Sequence, residues 1–194
     1  MKPLERQESR KQDRPASGAK NRAGTRRPAD EAYLERAAAH YLARFASSVG
    51  NFKDVLWRKV ERRGLADGVE KATAQEWIDR IAERFVALGL LNDEVFAHAR
   101  AGSLLRRGKP RRVIRAALVA KGVTAEMASD AVEALSSQSD DPDLDAAVAF
   151  ARRKRLGPYG PTDVTEERHH KQLAAFARAG FSYQLARRVL RGEP

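Results

Sequence analysis

Three glycines recur at equal distances along the chain and constrain its fold more than any other feature. Gly64, Gly122 and Gly180 are separated by 58 residues each time, and each follows a segment with helical periodicity. A bulky apolar residue stands four positions before each glycine and another directly after it: Val60 and Leu65, Leu118 and Val123, Phe176 and Phe181. A glycine in this context commonly ends an α-helix, and the residue after it packs against the last turn. The spacing predicts three tandem units of similar build.

The segments between these glycines have the apolar periodicity of α-helices. Candidate helix-capping residues precede several of them, namely Asp30, Thr73 (with Glu76 at capping-box spacing), Asn92 and Thr165. The same periodicity predicts that Phe45, Leu88 and Ala99 face inward. No alternating apolar and polar run is bounded by turn signals, so we predict no strand. The expected fold is all-α, with three tandem three-helix repeats.

Composition separates a tail from the helical part. Residues 1–29 contain nine Lys or Arg against three Asp or Glu, and almost no large apolar residue. Such a segment cannot bury enough surface to offset the entropy of ordering, so we predict a disordered basic tail. The expected organisation is a tail at 1–29 and three-helix repeats at 30–90, 91–138 and 139–194.

Basic residues are concentrated in the second repeat. Eight of them, and no acidic residue, occur between positions 100 and 121: Arg100, Arg106, Arg107, Lys109, Arg111, Arg112, Arg115 and Lys121. We call these the central basic set. A second basic set, Arg152, Arg153, Lys154 and Arg155, ends a helix of the third repeat. A charged helix face is often only solvated, but like charges at this density repel one another and favour an anionic partner.

The charge of the whole chain points to the same class of partner. The 194 residues include 37 Lys or Arg and 26 Asp or Glu, and the isoelectric point is near 10.3. These values are typical of proteins that contact nucleic acid phosphates. Mean hydropathy of −0.59 and the lack of a long apolar run exclude a transmembrane helix. With no cysteine and no signal peptide, we expect a cytoplasmic protein, and with no clear oligomer signal, a monomer.

The sequence offers little for catalysis. Gly102 to Pro110 has the wrong spacing for a phosphate-binding loop, and no strand precedes it. His169 and His170 point to different sides of a helix, and the acidic residues at 140–145 are explained by helix capping. We therefore predict no enzyme activity, no metal and no cofactor. Of the aromatic residues that could stack on bases, we expect Tyr33, Tyr41, Trp57 and Trp77 in the core and only Tyr159 exposed.

Two stretches resemble the RecX family, the bacterial regulators of the RecA recombinase. LNDEVFA followed by RRGKPRRVIRAALVAKGV, within Leu91 to Val123, is similar to the central signature of that family. KQLAAFARAGFS, from Lys171 to Ser182, is similar to its third repeat. The resemblance covers about Asp30 to Arg191 and implies an elongated, curved body of three-helix repeats. It also implies binding to RecA filaments on single-stranded DNA, with inhibition of the recombinase and of its ATPase.

The two basic sets are the surface that we expect to contact such a filament, the central set first. Two other functions remain open from the residues alone. One is a plain DNA-binding module with the helix after Pro110 in a groove, although few Asn or Gln residues accompany the arginines to read bases. The other is a helical-repeat adaptor for an acidic protein, in which charge only guides encounter.

Overall fold

The chain folds into α-helices. The computed structural model describes residues 27–137, 139–161 and 165–193. In these ranges the helices are α1 (Glu31–Leu42), α2 (Val49–Arg63), α3 (Lys71–Ala87), α4 (Asp93–Arg106), α5 (Arg111–Val119), α6 (Ala125–Glu133), α7 (Pro142–Lys154), α8 (Glu166–Ala179) and α9 (Tyr183–Leu190). Over the same ranges there is no β-strand, only an isolated bridge between Ala29 and Leu65. The predicted all-α fold is confirmed.

Most of the predicted tail, residues 1–26, lies outside the described residues. At its end, Ala29 is buried, and its N–H donates to the Gly64 carbonyl at 2.8 Å. Among the helices that the structure describes, none is both long and apolar enough to span a membrane.

Helix starts follow the capping chemistry in most cases. The side chains of Asp30, Asn92 and Thr165 accept hydrogen bonds from the N–H groups of Tyr33, Val95 and Arg168. These three predictions are confirmed. The prediction for Thr73 is wrong, because α3 already begins at Lys71 and Thr73 lies inside its first turn.

The helices bury their apolar faces in three clusters. We name α1–α3 unit 1, α4–α6 unit 2 and α7–α9 unit 3. Central members are Phe52, Ile78 and Phe85 in unit 1, Ala101, Ile114 and Leu118 in unit 2, and Phe150, Phe176 and Phe181 in unit 3. Leu91 packs with unit 1 and Leu105 contacts the clusters of both units 2 and 3. The units therefore share side chains at their borders, and the boundaries given above stay a prediction.

Three residues expected inside are exposed. Phe45 and Leu88 are 57% and 63% exposed, and Ala99 is exposed on α4. Phe45 follows the end of α1, and Leu88 caps the end of α3, so helical periodicity no longer governs either position. On α4 the buried face is formed by Ala97, Ala101 and Leu104.

The repeated glycines end the middle helix of each unit. Gly64, Gly122 and Gly180 have φ of 80°, 79° and 96°, values that other residues rarely adopt. After Gly122 and Gly180, the N–H groups of Val123 and Phe181 return to the carbonyls of Leu118 and Phe176. This is the bond of a Schellman stop, and the following residue is buried in both cases. At Gly64 the chain instead leaves in an extended direction, with ψ of 159°.

Candidate functional site

The central basic set covers the end of α4, the turn into α5 and α5 itself. Arg100 and Arg106 lie on α4, Arg107 caps it, Lys109 lies in the turn, Arg111, Arg112 and Arg115 lie on α5, and Lys121 follows α5. Most of these side chains are exposed, while Arg100, Lys109 and Arg111 are half-buried. Five of the eight thus lie on helices, and the other three lie at or just beyond helix ends.

The α5 arginines line a surface cleft. Ile114 and Leu118 anchor α5 in the core of unit 2 with no exposed surface, which leaves Arg112 and Arg115 facing solvent. The cleft is lined by Arg111, Arg112, Arg115, Ser129, Val132, Glu133 and Asp143. An anion entering it would meet the three guanidinium groups and the Ser129 hydroxyl. The two carboxylates on its wall partly offset that attraction.

Among the described residues, the cations of both sets have no carboxylate partner. In the described part of the chain, none of the twelve forms an ion pair within 4.0 Å. Unit 1 differs, because Lys53, Arg80 and Arg84 all pair with acidic side chains there. The positive charge of the two sets is therefore available to an external anion.

The two basic sets meet at one point. The guanidinium of Arg153, in the last turn of α7, donates to the Arg107 carbonyl. The backbones approach closely beside this contact, since a Cβ atom on Gly108 would lie 2.8 Å from the Phe150 nitrogen. Only glycine fits the turn there without displacing α7. A contact across 46 residues thus joins the α7 arginines to the end of α4.

Lys121 lies apart from the α5 arginines. Its Nζ donates to the Asn51 side chain of unit 1 at 2.9 Å. Arg111 and Lys121 are at opposite ends of α5, about 15 Å apart at a rise of 1.5 Å per residue. The central basic set is therefore extended along α5, with Lys121 at the border of unit 1.

Aromatic side chains near the basic residues are few. Tyr33, Tyr41, Trp57 and Trp77 pack against the unit 1 core, as predicted. Tyr159 is 36% exposed, and the Arg152 guanidinium lies 5.1 Å from its ring centre. Sequence reasoning missed a second such pair, in which Arg187 lies 5.6 Å from the ring of Tyr183, itself 61% exposed. The spacing of four residues on a short helix was the available signal.

Metal-binding residues do not converge in the part of the molecule that the structure describes. No group of three or more His, Cys, Asp or Glu side chains is arranged there to hold an ion. The absence of a metal and of catalysis stays a prediction.

Comparison with known proteins identifies the family. A family model described as RecX, second three-helix domain, matches residues 92–132, which include all eight residues of the central basic set. The regulatory protein RecX of Myxococcus xanthus (strain DK1622) is 39% identical over 178 residues, covering 90% of this chain and 94% of its own. The chain belongs to the RecX family. The RecX of Agrobacterium fabrum is 31% identical over 144 residues, covering 69% of this chain and 75% of its own.

Solved RecX structures share the fold. The crystal structure of RecX from Lactobacillus salivarius has a TM-score of 0.56 at 20% identity, covering 84% of this chain and 96% of that one. A crystal structure of another regulatory protein RecX gives 0.57 at 17% identity, covering 84% and 72%. At such identities the likeness concerns the fold alone. The RecX relatives are named as regulatory proteins, so a regulatory role belongs to the family.

Proposed function

We propose that this protein binds the RecA filament on single-stranded DNA and lowers the ATPase and recombinase activities of RecA, as a cytoplasmic regulator in DNA repair and the SOS response. Membership in the RecX family supports this proposal. The observation that carries it is the central basic set, whose cations lie on α4, on α5 and at their ends, without carboxylate partners among the described residues. Such cations can exchange water and counterions for phosphates without first breaking internal ion pairs.

The physical route combines DNA charge with protein contact. The groove of a RecA–DNA filament presents protein surface together with phosphates. The α5 arginines and the Arg107–Arg153 contact provide positive charge on units 2 and 3 of the same chain. A row of helical units could then contact adjacent RecA subunits while it competes for the DNA.

The decisive experiment measures the single-strand-dependent ATPase of RecA at substoichiometric amounts of this protein. Inhibition well before the free DNA is saturated supports binding to the filament. Inhibition that begins only at DNA saturation would favour the plain DNA-binding module. No effect at any ratio would favour the adaptor for an acidic protein.

Four arginines test the surface directly. We predict that replacing Arg107, Arg111, Arg112 and Arg115 by Ala weakens filament binding by about tenfold to a hundredfold, since several phosphate contacts are lost. Helicity by circular dichroism should not change, because the contact of Arg111 with Asp143 uses its backbone N–H.

A matched control removes the same charge from unit 1. Arg36, Arg58, Arg62 and Lys71 are exposed, and their replacement by Ala also lowers the net charge by four. The control should bind filaments almost as well as the parent protein. Equal losses in both variants would mean that net charge matters and that the central basic set does not.

A further inference from the structure

Adjacent units are joined by the same hydrogen bond in two places. The N–H of Val49, the first residue of α2, donates to Asp93 Oδ1 at 2.7 Å. The N–H of Arg111, the first residue of α5, donates to Asp143 Oδ1 at 2.8 Å. Each donor begins the middle helix of one unit, and each acceptor lies in the first turn of the next unit. A first-turn N–H has no partner within its own helix, so a carboxylate from the neighbouring unit satisfies it.

We call the contact between units 1 and 2 the first joint and the contact between units 2 and 3 the second joint. In each joint, the glycine that ends the middle helix of the later unit also contacts the earlier unit. A Cβ atom on Gly50 would lie 2.8 Å from the Gly122 Cα, so two backbones touch at the first joint. A Cβ atom on Gly180 would lie 2.5 Å from Val113 Cγ2 at the second joint. Gly122 and Gly180 therefore end their helices and also pack against the preceding unit. In unit 1, the Gly64 carbonyl instead accepts a hydrogen bond from the Ala29 N–H.

The first joint carries additional hydrogen bonds. The Lys121 carbonyl accepts one from the Ser48 hydroxyl and one from the Asn51 N–H at 3.2 Å. The second joint contacts a valine side chain, which can adjust more easily than backbone. Units 2 and 3 have further contacts of their own, namely the close backbone approach at Gly108 and the hydrogen bond from Arg153 to the Arg107 carbonyl.

Each joint includes residues at one end of α5. Its first residue donates to Asp143 in one joint, and Lys121 and Gly122 just beyond its end belong to the other. The direction in which Arg112 and Arg115 face, relative to units 1 and 3, is thus fixed at both ends of the helix. A protein that binds a polymer through several sites gains affinity from all of them only when its geometry lets the sites bind at the same time.

We propose that the two joints set the relative orientation of the three units so that their basic side chains meet the filament together. Asp93 and Gly50 are then positioning residues, which act through the orientation of the arginines and touch neither RecA nor DNA. Asp143 positions α5 in the same way, but its carboxylate also lies on the wall of the α5 cleft. The binding half of this inference rests on the proposed function. The geometric half concerns the free protein alone.

The chain contains no cysteine, so pairs of spin labels can be attached to introduced cysteines without background. Glu76→Cys with Glu126→Cys reports the first joint, and Glu126→Cys with Gln184→Cys reports the second. All three positions are exposed. Distances between labels are measured in the free full-length chain, and filament affinity is measured separately.

The variants separate geometry from charge. Gly50→Ala adds a methyl group where the Gly122 backbone lies, although alanine otherwise suits a helix better than glycine. Asp93→Ala removes the acceptor for Val49, while Asp93→Asn keeps an oxygen there. Glu94→Ala is the matched control, because Glu94 is the exposed neighbour of Asp93 in the same first turn.

We expect Gly50→Ala and Asp93→Ala to shift or broaden the distances across the first joint and to weaken filament binding about tenfold. Distances across the second joint should not change, and Asp93→Asn and Glu94→Ala should behave like the parent chain in both assays. Asp143→Ala should show the converse pattern in the distances, with the change confined to the second joint; its filament affinity is not compared, because Asp143 also lines the α5 cleft.

Two results would overturn the inference. Unchanged distances in both Gly50→Ala and Asp93→Ala would show that these contacts do not set the geometry. Changed distances with undiminished filament affinity would show that the geometry does not serve binding. If the parent chain itself fails to bind filaments, the proposed function and the binding half fail together, while the distances still decide the geometric half.

Discussion

At the scale of single residues, glycines with the same φ occur in different surroundings. Gly64 and Gly122 end the middle helices of units 1 and 2 with φ of 80° and 79°. A Cβ atom on Gly64 would meet nothing within 4 Å, whereas one on Gly122 would lie 2.8 Å from the Gly50 Cα. The two glycines thus share a conformational requirement, and only Gly122 also has a packing requirement.

Both glycines are therefore expected to resist substitution, for different reasons. Gly64→Ala should lower the free energy of unfolding by about 1–3 kcal/mol, because almost only glycine adopts φ of 80° together with ψ of 159°. Gly122→Ala should lower it by about 2–4 kcal/mol, because overpacking against the first joint adds to the cost of a left-handed alanine. Urea unfolding followed by circular dichroism measures both values. A loss of only about 1 kcal/mol in Gly122→Ala, the cost of a left-handed alanine by itself, would argue against a tight contact between Gly50 and Gly122.

At the scale of helices, α2 and α3 are tied by a half-exposed ion pair. Lys53 Nζ lies 2.7 Å from Asp79 Oδ1, with the side chains 36% and 38% exposed. The hydrogen bond from Lys53 holds the pKa of Asp79 below its ordinary value, helped by Gln75, while partial burial acts in the opposite direction. Solvent screens a pair of this exposure, so its contribution is about 0.5 kcal/mol.

The lowered pKa predicts how that contribution depends on pH. The unfolded chain protonates Asp79 near pH 3.9, about the ordinary value, and the folded chain only at lower pH. The stabilisation is therefore complete above that pH and is lost as the pH falls through the lowered pKa. Lys53→Met should lower the free energy of unfolding near pH 7 and have little effect near about pH 2.

Urea titrations at the two pH values provide the test. Lys59→Met, on the same helix but without an ion pair among the described residues, is the control and should show no such pH dependence. A Lys53→Met effect of equal size at both pH values would show that the lost contact is one of packing.

Most helices could be predicted from sequence because capping and periodicity act within one helix. Asp30, Asn92 and Thr165 cap because their side chains reach N–H groups three residues ahead. The errors at Thr73, Phe45 and Leu88 occur where a helix starts or stops at an unexpected residue, whereas Ala99 lies within α4 and was assigned to the wrong face. Periodicity cannot locate those ends.

The candidate site was less predictable for a physical reason. Sequence shows that Arg107 and Arg153 are basic, but their contact depends on how α7 packs against the turn at Gly108. The same holds for Asp143, which capping explains from sequence and which in the fold also accepts the N–H of Arg111. Such contacts join residues 46 and 32 positions apart and leave no periodic signal.

At the scale of the whole molecule, charge is distributed unevenly among the units. The chain carries a formal net charge of +11. Within the described residues, carboxylates pair with several cations of unit 1, while both basic sets have no such partners. We expect the filament-binding free energy to depend on salt mainly through units 2 and 3.

Salt titration tests that expectation. The slope of log affinity against log salt concentration should shrink by about 0.7 for each single-strand phosphate contact that a variant loses. The variant lacking Arg107, Arg111, Arg112 and Arg115 should therefore show a shallower slope than the variant lacking four unit 1 cations. Parallel slopes for the two variants would place the phosphate contacts elsewhere on the molecule.

Because the two joints use the same hydrogen bond, the chain can gain a further unit by duplication of its own sequence. A tandem duplication of one 58-residue period, the interval between Gly64 and Gly122, would bring its own donor helix, acceptor aspartate and receiving glycine. The added module could dock without inventing a new interface. At the front of the array, the Gly64 carbonyl accepts the Ala29 N–H, which is a different contact. Lengthening by an internal copy would therefore reuse contacts that this chain already forms between its units.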